Sequence, residues 1–316
     1  MAYSMTAIKR ITIVLGLVAI CHQTATAQQD PMYTHYAFNT LAVNPAYAGS
    51  REALTLTALH RSQWVGFDGA PVTQTLTLHS PLLNNKLGLG LTITNDNIGP
   101  MNFTSFNVDF AYKIKLSENG TLSLGLKGGG NLLQGELTSL SLDQGGDVAF
   151  SQGISSRFLP NFGFGAYYYT PTWYVGLSTP KLLQNTYVEN MPTSVSREQR
   201  HYYLIAGTVF NLTESEKVKL KPTAFVKVTE SAPVEADLTA MFILYDKVEL
   251  GAMYRTGDAL GLLLGYDFTP QLRVGYSYDF SYANKTTQYN GGSHEIMIRY
   301  DLVFKNKGKI VSPRYF

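Results

Sequence analysis

The sequence predicts an all-β transmembrane barrel of the outer-membrane type, with about 14 antiparallel strands preceded by an N-terminal segment that is not strand. Three observations lead there. Beyond residue 28 the apolar residues recur with a period of two, and no apolar run is long enough to cross a bilayer as a helix. Charged residues make up only 15% of the chain while Tyr (21) and Gly (28) are abundant, unlike the usual composition of a soluble domain. Finally, the polar face of each alternating segment is built from Gly, Ser, Thr and Asn with scattered charges, which suits a crowded wet lumen, and the apolar face suits lipid.

Residues 1–27 carry the pattern of an export signal peptide. Lys9 and Arg10 form the charged start, Ile11 to Ile20 the apolar stretch, and Ala25-Thr26-Ala27 the small-residue cleavage site. The mature chain then begins at Gln28. Bulky Ile20 directly before Cys21 argues against a lipid-modified cysteine, so the mature protein has no thiol, disulfide or cysteine metal site. Cleavage removes two of the 25 basic residues and none of the 23 acidic ones, and the resulting neutrality gives no basis for nucleic-acid binding.

Residues 28–52 are too polar and too broken by proline to join a sheet, yet they hold the aromatic and small residues of something that packs. Pro31 and Pro45 cannot donate to a strand ladder, Asn44-Pro45 favours a turn, and Tyr33, Tyr36, Phe38 and Tyr47 can pack on small lumen residues. Two placements follow: a plug folded into or under the barrel, or an ordered periplasmic leader that docks on a partner.

The barrel is expected over residues 53–304. In "KLGLGLTIT", Leu87, Leu89, Leu91 and Ile93 face one way and Gly88, Gly90, Thr92 and Thr94 the other. Phe106, Val108, Phe110, Tyr112 and Ile114 repeat this against Ser105, Asn107, Asp109, Ala111 and Lys113. The same reading gives strands near 53–61, 72–80, 86–95, 102–115, 121–134, 158–169, 173–179, 201–211, 217–229, 234–245, 248–256, 259–268, 271–282 and 293–304. With the mature N-terminus in the periplasm, the turns on that side are short, and the long connections 62–71, 136–157, 180–200 and 283–292 fall outside, the asymmetry expected of bacterial barrels. "ESAP" and "TGDA" are two short outer connections. Aromatic residues flank a turn in "AYYYTPTWY" as a headgroup belt would, and residues 305–316 form a basic tail that returns to the periplasm.

Chemistry motifs have bland readings here. His35, His60, His79, His201 and His294 lack the spacing of a zinc helix and read as lumen or rim residues, so no metal site is assigned. "GLKGGGN" at 125–131 continues as strand, with no helix or Gly-Lys-Ser/Thr to bind phosphate; it marks a bend or a close approach of a plug. Asp109, Glu235, Asp237, Glu249, Asp267, Arg273 and Asp279 fall on inward faces, where their mixed signs read as a paired network. No catalytic or cofactor-binding residue is assigned.

The segment "QQDPMYTHYAFNTLAVNPAYAGSREALTLTALHRSQWVGFDGAPVTQTLTLHSPL" resembles the start of the PorP/SprF family of outer-membrane proteins. The match rests on Pro31, Tyr33, Tyr36, Asn39, Asn44, Pro45, Ala46, Tyr47, Ala48 and Gly49, continuing through Arg61, Gln63, Trp64, Gly66, Gly69, Ala70 and Pro71. "NFGFGAYYYTPTWYVGLSTPKLL" at 161–183 and the closing "SPRYF" at 312–316 extend it over essentially the whole mature chain. The resemblance implies a non-enzymatic barrel of the type IX secretion system, working in export, gliding motility or cell-surface anchoring. It also implies a partner in a secreted cargo or adhesin, engaged through its C-terminal domain, and other secretion components on the periplasmic side, with both mature termini periplasmic. The outer loops are the expected partner surface, with Arg61, Gln63, Trp64 and Phe67 as candidates; Trp64 and Phe67 can instead fold back and brace their loop over the lumen. The principal rival is a passive uptake channel for apolar or small polar solutes, and a barrel hydrolase is the second.

Overall fold

The computed structural model describes residues 30–137, 153–187, 197–230, 232–283 and 289–302. Residues 1–27, where the export signal is expected, the two residues after them and the expected tail at 305–316 lie outside the described residues. Each strand pairs antiparallel with the next: β1 (Leu54–Ser62), β2 (Val72–Leu82), β3 (Leu87–Ile98), β4 (Met101–Lys115), β5 (Thr121–Gly135), β6 (Ile154–Tyr169) and β7 (Trp173–Thr179). β7 pairs with β8 (His201–Thr208); β9 (Phe210–Asn211) does not pair with β8, and pairing with the next strand resumes through β10 (Val218–Thr229), β11 (Ala232–Leu244), β12 (Val248–Arg255), β13 (Ala259–Asp267), β14 (Leu272–Ser281) and β15 (Ser293–Leu302). Because β15 pairs back onto β1, the sheet closes and has no edge, which is how strands satisfy their backbone groups in lipid.

β8 and β9 both pair with β10 and form one stave interrupted at Val209, so the barrel has fourteen staves, as the periodicity predicts. The interruption has a covalent cause. Pairing with β10 stops at Thr223↔Gly207 and resumes at Leu220↔Phe210, and between these lies Pro222, which has no N–H to give a ladder. Val209 N faces the other neighbour and donates to Thr172 O at 2.8 Å, continuing the ladder with β7.

Alternation sorts the side chains as expected. Leu89, Leu91, Phe106, Val108 and Phe110 are exposed on the outer surface, and Gly90, Thr92, Thr94 and Asp109 are buried within. Three pairs of inward charges meet their opposites across the ladder: Asp109 stands opposite Lys127 with oxygen and nitrogen 3.3 Å apart, Asp237 opposite Arg255 at 2.8 Å, and Asp267 opposite Arg273 at 2.5 Å. Opposite charges in directly facing positions support register as well as solvation of the lumen.

The two ends differ. Turns at the end where β1 begins are short, and several use left-handed backbone: Leu83, Asn84 and Asn85 after β2, and Tyr245 and Asp246 after β11, where Lys247 N donates to Leu244 O at 3.0 Å as in a type I′ hairpin. The opposite end carries the long connections. Gly99-Pro100 between β3 and β4 is a further short connection there. β6 starts at Ile154, so the final part of the loop expected at 136–157 is strand; residues 138–152 lie outside the described residues, as do 188–196 and 284–288 of two other long loops.

Residues 30–52 run through the lumen. A one-turn helix, α1 (Thr40–Val43), is followed by a 3₁₀ turn at Pro45–Tyr47, which Asn44 caps by accepting from Ala46 N at 2.9 Å. This segment supplies much of the core. Tyr36, Leu41, Ala46 and Tyr47 cluster with the inward Tyr167, Tyr174, Tyr203 and Phe225, while Phe38 packs with Met241, Met253, Leu263 and Met297. Burying one such side chain stabilises by about 1.5–3 kcal/mol.

Candidate functional site

The site consists of the N-terminal segment and the inward residues that grip it, together with the loops above. At one pole the grip is electrostatic. Glu295 on β15 accepts from Thr34 N at 2.9 Å and from His35 N at 2.7 Å, and its Oε1 lies 2.7 Å from His35 Nδ1. Arg61 at the end of β1 joins this knot: its Nη1 donates to Thr34 Oγ1 at 2.9 Å and to Glu295 at 3.2 Å, and its Nη2 to Asp279 at 2.8 Å. Thr34 completes the ring by donating to Asp279 at 2.6 Å. Two carboxylates, one guanidinium and two main-chain amides bond one another out of reach of solvent, which is what makes a buried charge tolerable, although Arg61 Nε and Asp279 Oδ1 have no hydrogen-bond partner.

Along the middle, hydroxyls and amides hold the segment. Tyr33 bonds Thr75 at 2.9 Å, Tyr36 bonds Thr223 and Thr239 at 3.0 and 3.1 Å, and Thr77 donates to Asn39 at 2.8 Å. Burial pushes the Tyr36 hydroxyl up to about 12, and that of Tyr33 is raised by the same cause. Asn44 Nδ2 donates to the carbonyls of Ala166 and Leu177 at 3.1 and 3.3 Å, and Ser178 Oγ donates to Val43 O at 2.7 Å.

At the other pole the grip is steric. Gly49, in left-handed conformation at φ 64°, lies so close to β3 that a Cβ on Gly88 would stand 1.9 Å from Ala48 O. A Cβ on Gly125 would stand 2.2 Å from Ala46 N. The close approach therefore falls on Gly125; of the Gly128–Gly130 run, Gly128 has open space and the other two crowd neighbouring strands. Gly49 N donates to His79 Nδ1 at 3.1 Å, and Arg51 forks onto Asp301 at 2.8 and 3.3 Å.

The segment is also tied to the loop above it. Lys181 donates to Asp30 at 2.6 Å, and Glu198 in the same loop accepts from Asn131, Asn161 and Asn185. Burial drives the Asp30 carboxyl upward, but Lys181 and His201 outweigh it and hold Asp30 at about 2. Pro31 is half-buried beside Asp30, next to a cavity of about 60 Å³.

The four rim candidates separate. Arg61 is buried in the lumen and holds the N-terminal segment, so its guanidinium is not presented at the rim. Gln63 and Trp64 are half-buried; Gln63 N donates to Pro71 O at 2.9 Å and Trp64 N to Ser293 Oγ at 3.2 Å. Val65 exchanges backbone bonds with Gly291 and Gly292, so this loop is braced by the one before β15. Phe67 is exposed. His60 and His294 lie on the outer surface near the rim, whereas His35, His79 and His201 are buried.

Sequence reasoning missed Thr34, His35 and Glu295 as a unit. The available signal was Glu295 itself, an acid that alternates with Ile296 and Ile298 on the last strand and so had to face inward.

A model of the family described as "Type IX secretion system membrane protein PorP/SprF" matches residues 25–300. The chain belongs to the PorP/SprF family. No curated protein matches it by sequence. Among solved structures, the CymD monoaromatic hydrocarbon channel is similar at TM-score 0.50 and 13% identity, covering 88% of this chain and 95% of that one. A Pseudomonas aeruginosa FadL homologue is similar at TM-score 0.46 and 12% identity, covering 90% and 98%. At 13% identity the likeness to the CymD channel speaks for the fold alone, and the PorP/SprF protein is an outer-membrane β-barrel of type IX secretion.

Proposed function

We propose that this PorP/SprF protein is a non-enzymatic barrel that partners a secreted type IX cargo or adhesin at its long-loop end, for export or surface attachment of the gliding-motility type. Both mature termini face the periplasm in this reading, and other secretion components meet the barrel there. The observation that carries it is the occupancy of the lumen: residues 30–52 pack and hydrogen-bond along its length, which leaves the loop rim as the surface a large exported protein can meet. Residues 28–52 act as a plug. A barrel of fourteen staves is wider than the side-chain-filled eight-stranded ones, and the segment takes the space that would otherwise conduct.

Phe67, with Gln63 and Trp64 behind it, forms the contact near β1, and loops 136–157 and 180–200 the remainder. Capture of the cargo's C-terminal domain tests this: shortening 136–157 and 180–200 or Phe67→Ala should weaken it, and capture unchanged by all three removes the rim assignment. The rival reading, a passive channel for small solutes, requires single-channel current in planar bilayers without a protein partner; the plug reading requires the opposite, with current appearing on deletion of 28–50.

A further inference from the structure

We infer that the short-turn mouth of the barrel holds a binding site for a small hydroxylated oxyanion, with Arg299 as the cation that recognises it. A cavity of about 460 Å³ opens there, lined among others by Arg51, Glu249, Phe268, Leu272, Arg273 and Arg299. Its size lies in the range of small-molecule sites, roughly 300–1,000 Å³, and exceeds what a bare ion fills.

The three arginines are unequally served. Arg51 forks onto Asp301, and Arg273 forks onto Asp267 and reaches Glu249 at 3.0 Å. Arg299 is left over. It is 5% exposed, its Nε has no hydrogen-bond partner, and the one carboxylate facing it among the described residues is Asp301 at 3.9 Å, already taken by Arg51 and Thr55. The ladder makes matters worse, because Arg299 on β15 stands directly opposite Arg273 on β14, and like charges in facing positions repel. A buried guanidinium whose facing carboxylate is long and shared is costly, and a carboxylate or phosphate entering the cavity matches its donor fork.

Two further features define the ligand. Glu249 Oε2 is buried without a hydrogen-bond partner, which provides an acceptor for a hydroxyl on the same molecule. Phe268 and Leu272 offer apolar wall to a carbon body. The site is independent of the cargo surface at the opposite end.

Isothermal titration calorimetry on the full-length, detergent-purified protein at low ionic strength tests the inference, with citrate and inorganic phosphate as probes. Citrate should bind saturably, and Arg299→Gln should weaken it by about tenfold or more, while Lys86→Gln at an exposed turn of the same end leaves it unchanged. If Arg299→Gln loses the heat-modifiable mobility of a folded barrel, Arg299→Lys takes its place; it keeps the charge without the fork and should bind citrate more weakly than wild type. Binding of neither probe, or equal citrate affinity in wild type and the folded variant, overturns the site. Arg299-dependent binding of phosphate without citrate overturns the assignment of a hydroxylated organic ligand.

Discussion

The two poles of the N-terminal segment are held by different physics. Around Thr34 and His35 the wall contributes charge, with Glu295, Asp279 and Arg61 closing a ring of short bonds. Around Pro45–Gly49 the wall contributes chiefly absence, since Gly88 and Gly125 leave room for main chain to lie against main chain, with Lys113 donating to Gly49 O as a single charged contact. A charged contact can be weakened in steps by substitution or protonation, whereas a steric one either fits or does not. The comparison teaches that one end of this segment is built to be adjustable and the other to be fixed.

The sharpest way to break the fixed end is Gly125→Leu. Its side chain would occupy the place of the Ala46 backbone, which cannot rotate away, so the segment should leave the lumen at that point. Overpacking typically costs about 1–3 kcal/mol and more where backbone is struck. Planar-bilayer current equal to that of the 28–50 deletion is the expected result, and a silent barrel would show that the segment finds another seat.

Next in size is the charged end. Glu295→Ala leaves two buried amides without their acceptor and Arg61 with Asp279 as its remaining carboxylate, at about 3–5 kcal/mol for a broken buried pair, and Glu295→Gln should cost less because one acceptor oxygen survives. Denaturant midpoints together with protease cleavage near Thr34 distinguish the two; equal losses would mean that charge is immaterial there.

A smaller effect is expected from acid at Asp30, where the segment meets loop 180–200. Its folded carboxyl is held below the usual 3.8, at about 2, so its ion pair with Lys181 contributes fully above about pH 4 and is lost as pH falls toward 2. Protease sensitivity of the segment should rise over that window in wild type, and Asp30→Asn should be sensitive already at neutral pH. A profile identical in both proteins would remove this tie.

The smallest structural effect belongs to Phe67. Being exposed, it should change stability by less than about 0.5 kcal/mol on truncation to alanine. Cargo capture should nonetheless fall by about tenfold if it is an interface anchor. Trp64→Ala keeps the backbone bonds that brace this loop, from Trp64 N to Ser293 Oγ and from Val65 N to Gly292 O, so the loop should hold its place.

How much of this was legible beforehand varied with the range of the interaction. Strand positions follow from neighbours two residues apart, and Leu87 to Ile93 face outward as the alternation requires. The interruption of the eighth stave was not visible, although Pro222 stood in the sequence, because which neighbour a proline fails depends on pairing. Arg61 looked like a rim residue since it closes a strand, but alternation from Leu59 already turned it inward, and Asp279 and Glu295 lie far off in the chain. The glycine-rich run at 125–131 drew attention by composition, and the contact with the N-terminal segment fell on its first residue, Gly125, and not on the consecutive Gly128–Gly130, a distinction alternation alone cannot make.

By itself, the sequence determined a period-two polypeptide of fourteen spanning segments, greasy on one face, with a proline-broken leader unable to join the sheet. These are local properties, set by backbone geometry and the solvent on either side. Only closure of the sheet decided where that leader goes and what meets it. Strand register brings Glu295 to Thr34 and His35, Gly125 to Ala46, and Arg299 face to face with Arg273, and register is a property of pairs of segments that no single segment encodes.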